Sequence, residues 1–191
     1  MGQPGTRRQR SRKAGSRMPS DAVYVGRGAG RAGRWGNPFR VGGAATIALA
    51  VRFKADSWRG RQWSATRLYA LWIAGRLGEL APEVHAAALA ELEAQGNPVA
   101  PTREEIVRDL NWSGWHGGQG RDLVCWCQPF VDCHADILLA VAIGQDPVIA
   151  SGTSPHWADN FRCIEIQRTE KRVEIRDNIR RRSYVKGWTA W

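Results

Sequence analysis

Three thiols and an imidazole fall within ten residues of one another: Cys125, Cys127, Cys133 and His134. A thiolate is both nucleophile and metal ligand, and an imidazole can carry a proton or bind a metal. Three kinds of chemistry or structure therefore compete here. In the first, a Cys133 thiolate or His134 acts on a bound substrate as nucleophile or proton carrier, with Cys125 and Cys127 beside them. In the second, all four residues ligate zinc. Spacing speaks against zinc, because its ligands usually come as C-x2-4-C, whereas one residue separates the first pair and none the second. Adjacent side chains at 133 and 134 are also expected to diverge at a helix start. In the third, the cysteines are small buried hydrophobes and His134 caps a turn. The three readings stay open at this point.

A second group of residues lies about a hundred positions earlier, in Gly26-Arg27-Gly28-Ala29-Gly30-Arg31-Ala32-Gly33-Arg34-Trp35-Gly36-Asn37-Pro38-Phe39. Five glycines in eleven residues predict a long irregular loop. It is not a P-loop, since no Gly-Lys-Ser/Thr follows. Gly28 to Gly33 fits G-x-G-x-x-G, yet Pro38 and the residues before it block the helix that a dinucleotide fingerprint needs. A general anion cradle suits it better: backbone N–H groups with Arg27, Arg31 and Arg34 could hold a phosphate or carboxylate, and Trp35 offers a face for a base. The candidate ligand-binding residues are Gly26, Arg27, Gly28, Arg34, Trp35 and Asn37, with Trp126 from the cysteine segment. His116, in the Gly/Trp stretch Trp112–Gly118, could be a general acid or base or a further metal ligand. His85 and His156 have no companions, and Cys163 reads as a strand residue.

Both groups sit at the ends of expected strands. Ala22-Val23-Tyr24-Val25 is a short β-branched and aromatic run leading straight into Gly26, and Leu123–Cys127 is apolar enough for a second buried strand. Gln128-Pro129 breaks that strand, and Cys133–Ile143 is a strongly helical run ended by Gly144. Strand, tight turn and helix in that order are half of a βα unit. A helix starting near Cys133 would aim unpaired N–H groups at the strand end and favour a thiolate there. Between the strands, the pattern predicts a short helix over Ala44–Phe53 and helices over Thr66–Leu80 and Pro82–Gln95. A further helix follows a Thr102/Glu105 capping box to about Leu110. The expected fold is α/β: a small, mostly parallel sheet flanked by helices, with the strands at 22–25 and 123–127 side by side. That places Arg27, Arg34 and Asn37 near the cysteine cluster, at the strand ends where such sheets bind ligands.

The net charge of +10 is confined to the chain's ends. Residues 1–20 carry six Lys/Arg and no acid, residues 165–191 carry eight Lys/Arg against four acids, and 21–164 is balanced at 14 of each. Residues 1–20 are Gly-, Ser- and Arg-rich, which predicts a disordered basic tail. The core domain is expected over 21–150, and 151–191 forms a C-terminal extension with a strand near Phe161–Gln167 and a charged helix over Lys171–Arg182. Basic tails of this kind attract phosphate backbones without reading sequence. No apolar stretch approaches the roughly 18 residues of a membrane span. No apolar segment follows the basic N-terminus as in a signal peptide, so a cytoplasmic protein with reduced thiols is expected.

The strings Val23-Tyr24-Val25-Gly26-Arg27, Arg34-Trp35-Gly36-Asn37-Pro38-Phe39 and Leu123-Val124-Cys125-Trp126-Cys127, with Pro129 and Cys133-His134-Ala135-Asp136-Ile137-Leu138-Leu139, together resemble domain-of-unknown-function family 4326 over about residues 22–145. This small family is seen in bacteriophages and bacteria. The resemblance implies a phage or bacterial setting and no settled activity. Its motif residues fall on Trp35, Gly36, Asn37, Pro38, Cys125, Trp126, Cys127, Cys133 and His134. The chain departs from the short form by its basic N-terminus, an expanded helical middle over about Ser57–Gln95 and the extension after Gly144. Two functions are carried forward. One is a phage-type protein that binds or modifies a small anionic ligand, a nucleotide or sugar-phosphate, whether as an enzyme or as a binder. The other is a non-catalytic adaptor, with or without a stabilising zinc ion, that binds nucleic acid or protein through its tails.

Overall fold

The computed structural model describes residues 5–28, 31–110, 120–128 and 130–152. Its centre is strand β5 (Leu123–Cys125), all three residues of which are buried. A central parallel strand is covered on both faces, and its near-continuous apolar character follows from that. Strand β2 (Val23–Tyr24) lies parallel to it, with Val23 opposite Leu123 and Tyr24 opposite Val124. Backbone hydrogen bonds from Val23 to Asp122 (2.8 Å) and from Val25 to Val124 (3.0 Å) fix the register. The C-terminal ends of the two strands therefore emerge side by side, as the hydrophobic runs suggest.

The third strand comes from the segment expected to be a disordered tail. β1 (Arg7–Gln9) pairs parallel with the other edge of β5, giving the order β1-β5-β2. It has little apolar surface to bury, and polar bonds hold it instead. Thr6 donates to Asp122 Oδ1 from both its N–H (2.8 Å) and its hydroxyl (2.7 Å), and the Arg8 guanidinium pairs with the same carboxylate. Arg7 reaches across to Asp136 at 2.7 Å and to the carbonyl of Val131 at 2.8 Å. Composition registers what a segment can bury, whereas this strand rests on ladder bonds and charge-assisted contacts.

The glycine-rich segment is likewise more regular than expected. β3 (Arg27–Gly28) and β4 (Arg31–Ala32) form a small antiparallel ladder, with Arg27 opposite Ala32 and Gly28 opposite Arg31. Two-residue strands need only two paired positions, and glycine-rich sequence does not forbid that.

Helices cover the rest. α1 (Ala44–Arg52), α3 (Pro82–Glu93) and α4 (Arg103–Leu110) fall close to their expected places. The capping box closes as drawn: Glu105 accepts from the Thr102 N–H at 2.9 Å, and Thr102 Oγ1 accepts from the Glu105 N–H at 3.2 Å. α2 spans Trp58–Ile73, so it begins eight residues before the expected Thr66 and ends before Leu80; a short 3-10 turn occupies Leu77–Glu79. Its N-terminal half buries Gly60, Gln62, Trp63, Ser64 and Ala65 in near succession, and polar residues among them hide the period of a one-sided apolar helix. Gly60 is required there: a Cβ on it would stand 1.7 Å from the Ala55 carbonyl oxygen. α5 (His134–Ala142) follows β5, and a last turn, α6 (Pro147–Ala150), packs on α2 and α5. The core joins Trp63, Leu68 and Tyr69 of α2 with Leu123 of β5 and Ile137, Leu138 and Val141 of α5. The protein is thus α/β, a small parallel sheet flanked by helices. Among the described residues, no helix is long and apolar enough to cross a membrane. His116, His156, Cys163 and the elements expected over 161–167 and 171–182 lie outside the described residues.

Candidate functional site

The ends of β2 and β5 and the start of α5 meet at one place. Chain direction explains why: parallel strands deliver Val25 and Cys125 to the same sheet edge, and the short connection after β5 brings the N-terminus of α5 back beside them. Cys133 is the N-cap of α5, with extended φ −140° and ψ 139°. Its sulfur accepts the N–H of Ala135 at 3.4 Å, taking up one of the donors that a helix start leaves free.

The adjacent side chains at 133 and 134 do not diverge. Because Cys133 is extended while His134 is already helical, the sulfur turns back over the helix end. Cys133 Sγ then lies 3.9 Å from His134 Nδ1. The sulfurs of Cys125 and Cys127 are 3.5 Å apart, and the ligand atoms of Cys125, Cys133 and His134 all lie within 4.8 Å of one another. All three of these residues are buried, and all three described cysteines are free thiols.

His134 Nε2 stands 2.7 Å from the carbonyl oxygen of Val25. A carbonyl only accepts, so Nε2 carries the proton and Nδ1 presents its lone pair to the thiols. Burial lowers the imidazole pKa and keeps the ring neutral. The Tyr69 ring meets it edge-on at 5.3 Å, while the Tyr69 hydroxyl donates to the carbonyl of Trp35 at 3.0 Å. Among the thiols, Cys125 is held well below the usual range, first by hydrogen bonding from Cys127 and then from Cys133. Cys133 and Cys127 are pushed upward, in each case chiefly by the neighbouring Cys125. The three thiols titrate as a coupled group.

Over this cluster lies a cleft of about 200 Å³, lined by Gly26, Arg27, Asn37, Gln62, Cys125, Trp126, Cys127 and His134 with an apolar wall of Phe39, Val41 and Ala65. Cys133, expected to be the reactive thiol, does not line it; it is fully buried beneath. Cys127 is the half-buried thiol of the three. Arg27 is partly buried and donates from Nε to the carbonyl of Asn37 at 2.9 Å. Burial lowers its pKa, with Arg40 acting in the same direction. Its remaining guanidinium N–H groups have no hydrogen-bond or ion-pair partner among the described residues.

The other expected ligand residues divide. Asn37 reaches the cleft, but its amide is engaged: Nδ2 donates to the carbonyl of Ala65 and Oδ1 accepts from the N–H of Phe39, both at 2.9 Å. It pins the loop to α2. Trp126 forms part of the rim and is 37% exposed. Arg34 and Trp35 point elsewhere. Arg34 pairs with Glu105 (3.1 Å) and Asp109 (3.2 Å) of α4 and covers the Trp35 ring at 4.7 Å. Trp35 lines a separate surface hollow with Val23, Arg108 and Arg121.

Sequence reasoning missed Gln62, whose Nε2 donates to the carbonyl of Asp132 (2.8 Å) and approaches Cys127 Sγ at 3.6 Å. It also missed Arg10 and Arg12. Their guanidinium carbons each lie 5.1 Å from the Trp126 ring centre, and Arg10 also lies 4.9 Å from that of Tyr24. Only the pairing of β1 could have revealed those two.

No curated protein and no solved structure matches this chain. A family does: residues 8–144 match the family described as Domain of unknown function (DUF4326). The matched span runs from β1 to the end of α5 and so contains every residue of the cleft and of the thiol cluster. The chain belongs to the DUF4326 family.

Proposed function

We propose that the protein binds a small anionic ligand of the nucleotide or sugar-phosphate class in the cleft above the cysteine cluster. The observation that carries this reading is Arg27. A partly buried guanidinium with free N–H groups faces a cost that an anion relieves, and Arg suits phosphate and carboxylate because it can offer two parallel N–H groups. The cleft, at about 200 Å³, is smaller than the roughly 300–1,000 Å³ typical of drug-sized ligands. It matches a single ring or a phosphosugar rather than a dinucleotide. Phe39, Val41 and Trp126 supply the apolar walls, and Trp126 supplies the stacking face. Whatever binds is held against Cys127, the thiol nearest solvent, in what we take to be the cytoplasm of a bacterial cell.

Thermal shift with a panel of nucleotides and sugar phosphates tests this. A ligand at a hundred times its Kd raises stability by about 2.7 kcal/mol, enough to move a melting curve by several degrees. Arg27→Gln, with affinity lowered at least tenfold, should cut the shift to about half or less while the protein stays folded. A panel in which every compound leaves the wild type unmoved would sink the reading.

A second reading has its own support. Arg10 and Arg12 flank Trp126 beside an open hollow of about 410 Å³, a pairing of charge and aromatic surface that suits single-stranded nucleic acid. An adaptor of this kind would lose affinity steeply with salt and would lose it altogether in an Arg10→Gln, Arg12→Gln double variant. The small-ligand reading predicts that this variant keeps its ligand.

A further inference from the structure

The geometry points to a zinc site in which Cys125, Cys127, Cys133 and His134 Nδ1 hold one ion at the floor of the cleft. A tetrahedral centre with zinc–sulfur bonds of about 2.3 Å and zinc–nitrogen bonds of about 2.0 Å needs its ligand atoms roughly 3.5–3.8 Å apart. The cluster already shows 3.5 Å between the sulfurs of Cys125 and Cys127, and 3.9 Å from Cys133 Sγ to His134 Nδ1. Cys125, Cys133 and His134 form the pre-gathered part, within 4.8 Å of one another. Cys127, on the turn after β5, completes the set by a side-chain adjustment on the cleft side, where Gln62 already approaches its sulfur at 3.6 Å.

The surroundings fit a metal better than a thiol store. A ligating histidine normally donates its second ring N–H to a carbonyl or carboxylate, which fixes the tautomer, and the Val25 carbonyl is that partner for His134. Three thiols crowded together cannot all ionise unless a cation replaces their protons, which zinc does on binding. The spacing that looks wrong in sequence becomes workable because the ligands come from two elements. Cys125 and Cys127 flank a strand end, while Cys133 and His134 straddle the first residue of a helix. With the ion bound, the ends of β2, β5 and α5 are tied at one point. The inference does not depend on the cleft's ligand, because metal is measured without one.

The test uses the full chain without a histidine tag. Metal analysis of the purified protein should give about one zinc per chain. After chelation, titration with cobalt(II) should give the intense visible bands of a tetrahedral centre together with a near-ultraviolet thiolate-to-cobalt band. Cys127→Ser, at the half-buried position, keeps the buried core intact. It should weaken the thiolate band and lower cobalt affinity by more than about tenfold, since even outer-shell changes cost 10–100-fold. Folded wild-type protein that binds neither zinc nor cobalt would overturn the site. A Cys127→Ser spectrum and affinity identical to wild type would overturn the four-ligand assignment. Failure of the nucleotide panel with zinc present would leave the metal site standing and remove only the ligand reading.

Discussion

Arg27 and Arg34 are seven residues apart on the same glycine-rich segment, and their fates are opposite. Arg34 lies half exposed, between two carboxylates of α4 and against the face of Trp35, so its charge is already answered. Arg27 turns inward from the exit of β2, spends one N–H on the Asn37 carbonyl and keeps the rest for the cleft. One arginine fastens the segment to a helix and the other arms a cavity. The residue type is the same, so the difference lies in what the neighbouring elements present. α4 carries Glu105 and Asp109 toward residue 34, whereas the sheet edge offers residue 27 thiols, a neutral histidine and apolar walls. A basic loop is therefore not a site as a whole; only the part of it whose guanidinium is not taken up by an ion pair is.

The strongest way to break this contrast is to remove the pin that holds both halves. Asn37→Ala leaves the Phe39 N–H without its partner in a buried setting and removes the second bond on the Ala65 carbonyl, at about 1–3 kcal/mol. Urea unfolding should record that loss, and ligand binding should fall with it, because the Asn37 carbonyl also orients Arg27. Arg27→Gln comes next and separates the two properties. Ligand affinity should drop at least tenfold, or about 1.4 kcal/mol, while the unfolding midpoint stays put or rises, since a partly buried cation is removed. A fall in stability equal to the fall in affinity would mean that Arg27 is structural, like its neighbour. The smallest effect belongs to Arg34→Gln. Both of its ion pairs remain open to solvent, so stability should shift only slightly, ligand affinity should not change, and the difference from wild type should disappear in 1 M salt.

The parts of this molecule that were legible from its residues are those governed by local signals. β2 and β5 announce themselves as short apolar runs, α3 by Pro82 and Gly96, α4 by its capping box, and the N-cap of α5 by Cys133 before a continuous apolar helix. Their parallel pairing, and so the meeting of Arg27 with the cysteine cluster, follows from the strand-turn-helix order. What stayed hidden depends on partners distant in sequence. Nothing local marks Arg7–Gln9 as a strand, because its reason to be one is Asp122 and the free edge of β5. Gln62 looks like a helix-surface amide until Asp132 and Cys127 are placed opposite it. The convergence of Cys133 and His134 turns on a single extended backbone angle that no spacing rule contains.

The sheet's strand order has a consequence in time. β1 is made first, yet its partner β5 lies more than a hundred residues downstream: the Thr6 to Asp122 bond spans 116 positions. β2 waits for the same strand. A ribosome adding about 5–20 residues per second therefore exposes β1 and β2 for several seconds before their partner exists, whereas β3 and β4 have each other at once. Helices α1, α2 and α3, whose contacts are closer in sequence, have their partners within reach during that interval. The long-range closure comes afterward and is the slow kind of step. The cleft, whose lining includes Cys125, Cys127 and His134, cannot be complete until Leu123–Cys125 has entered between the two earlier strands.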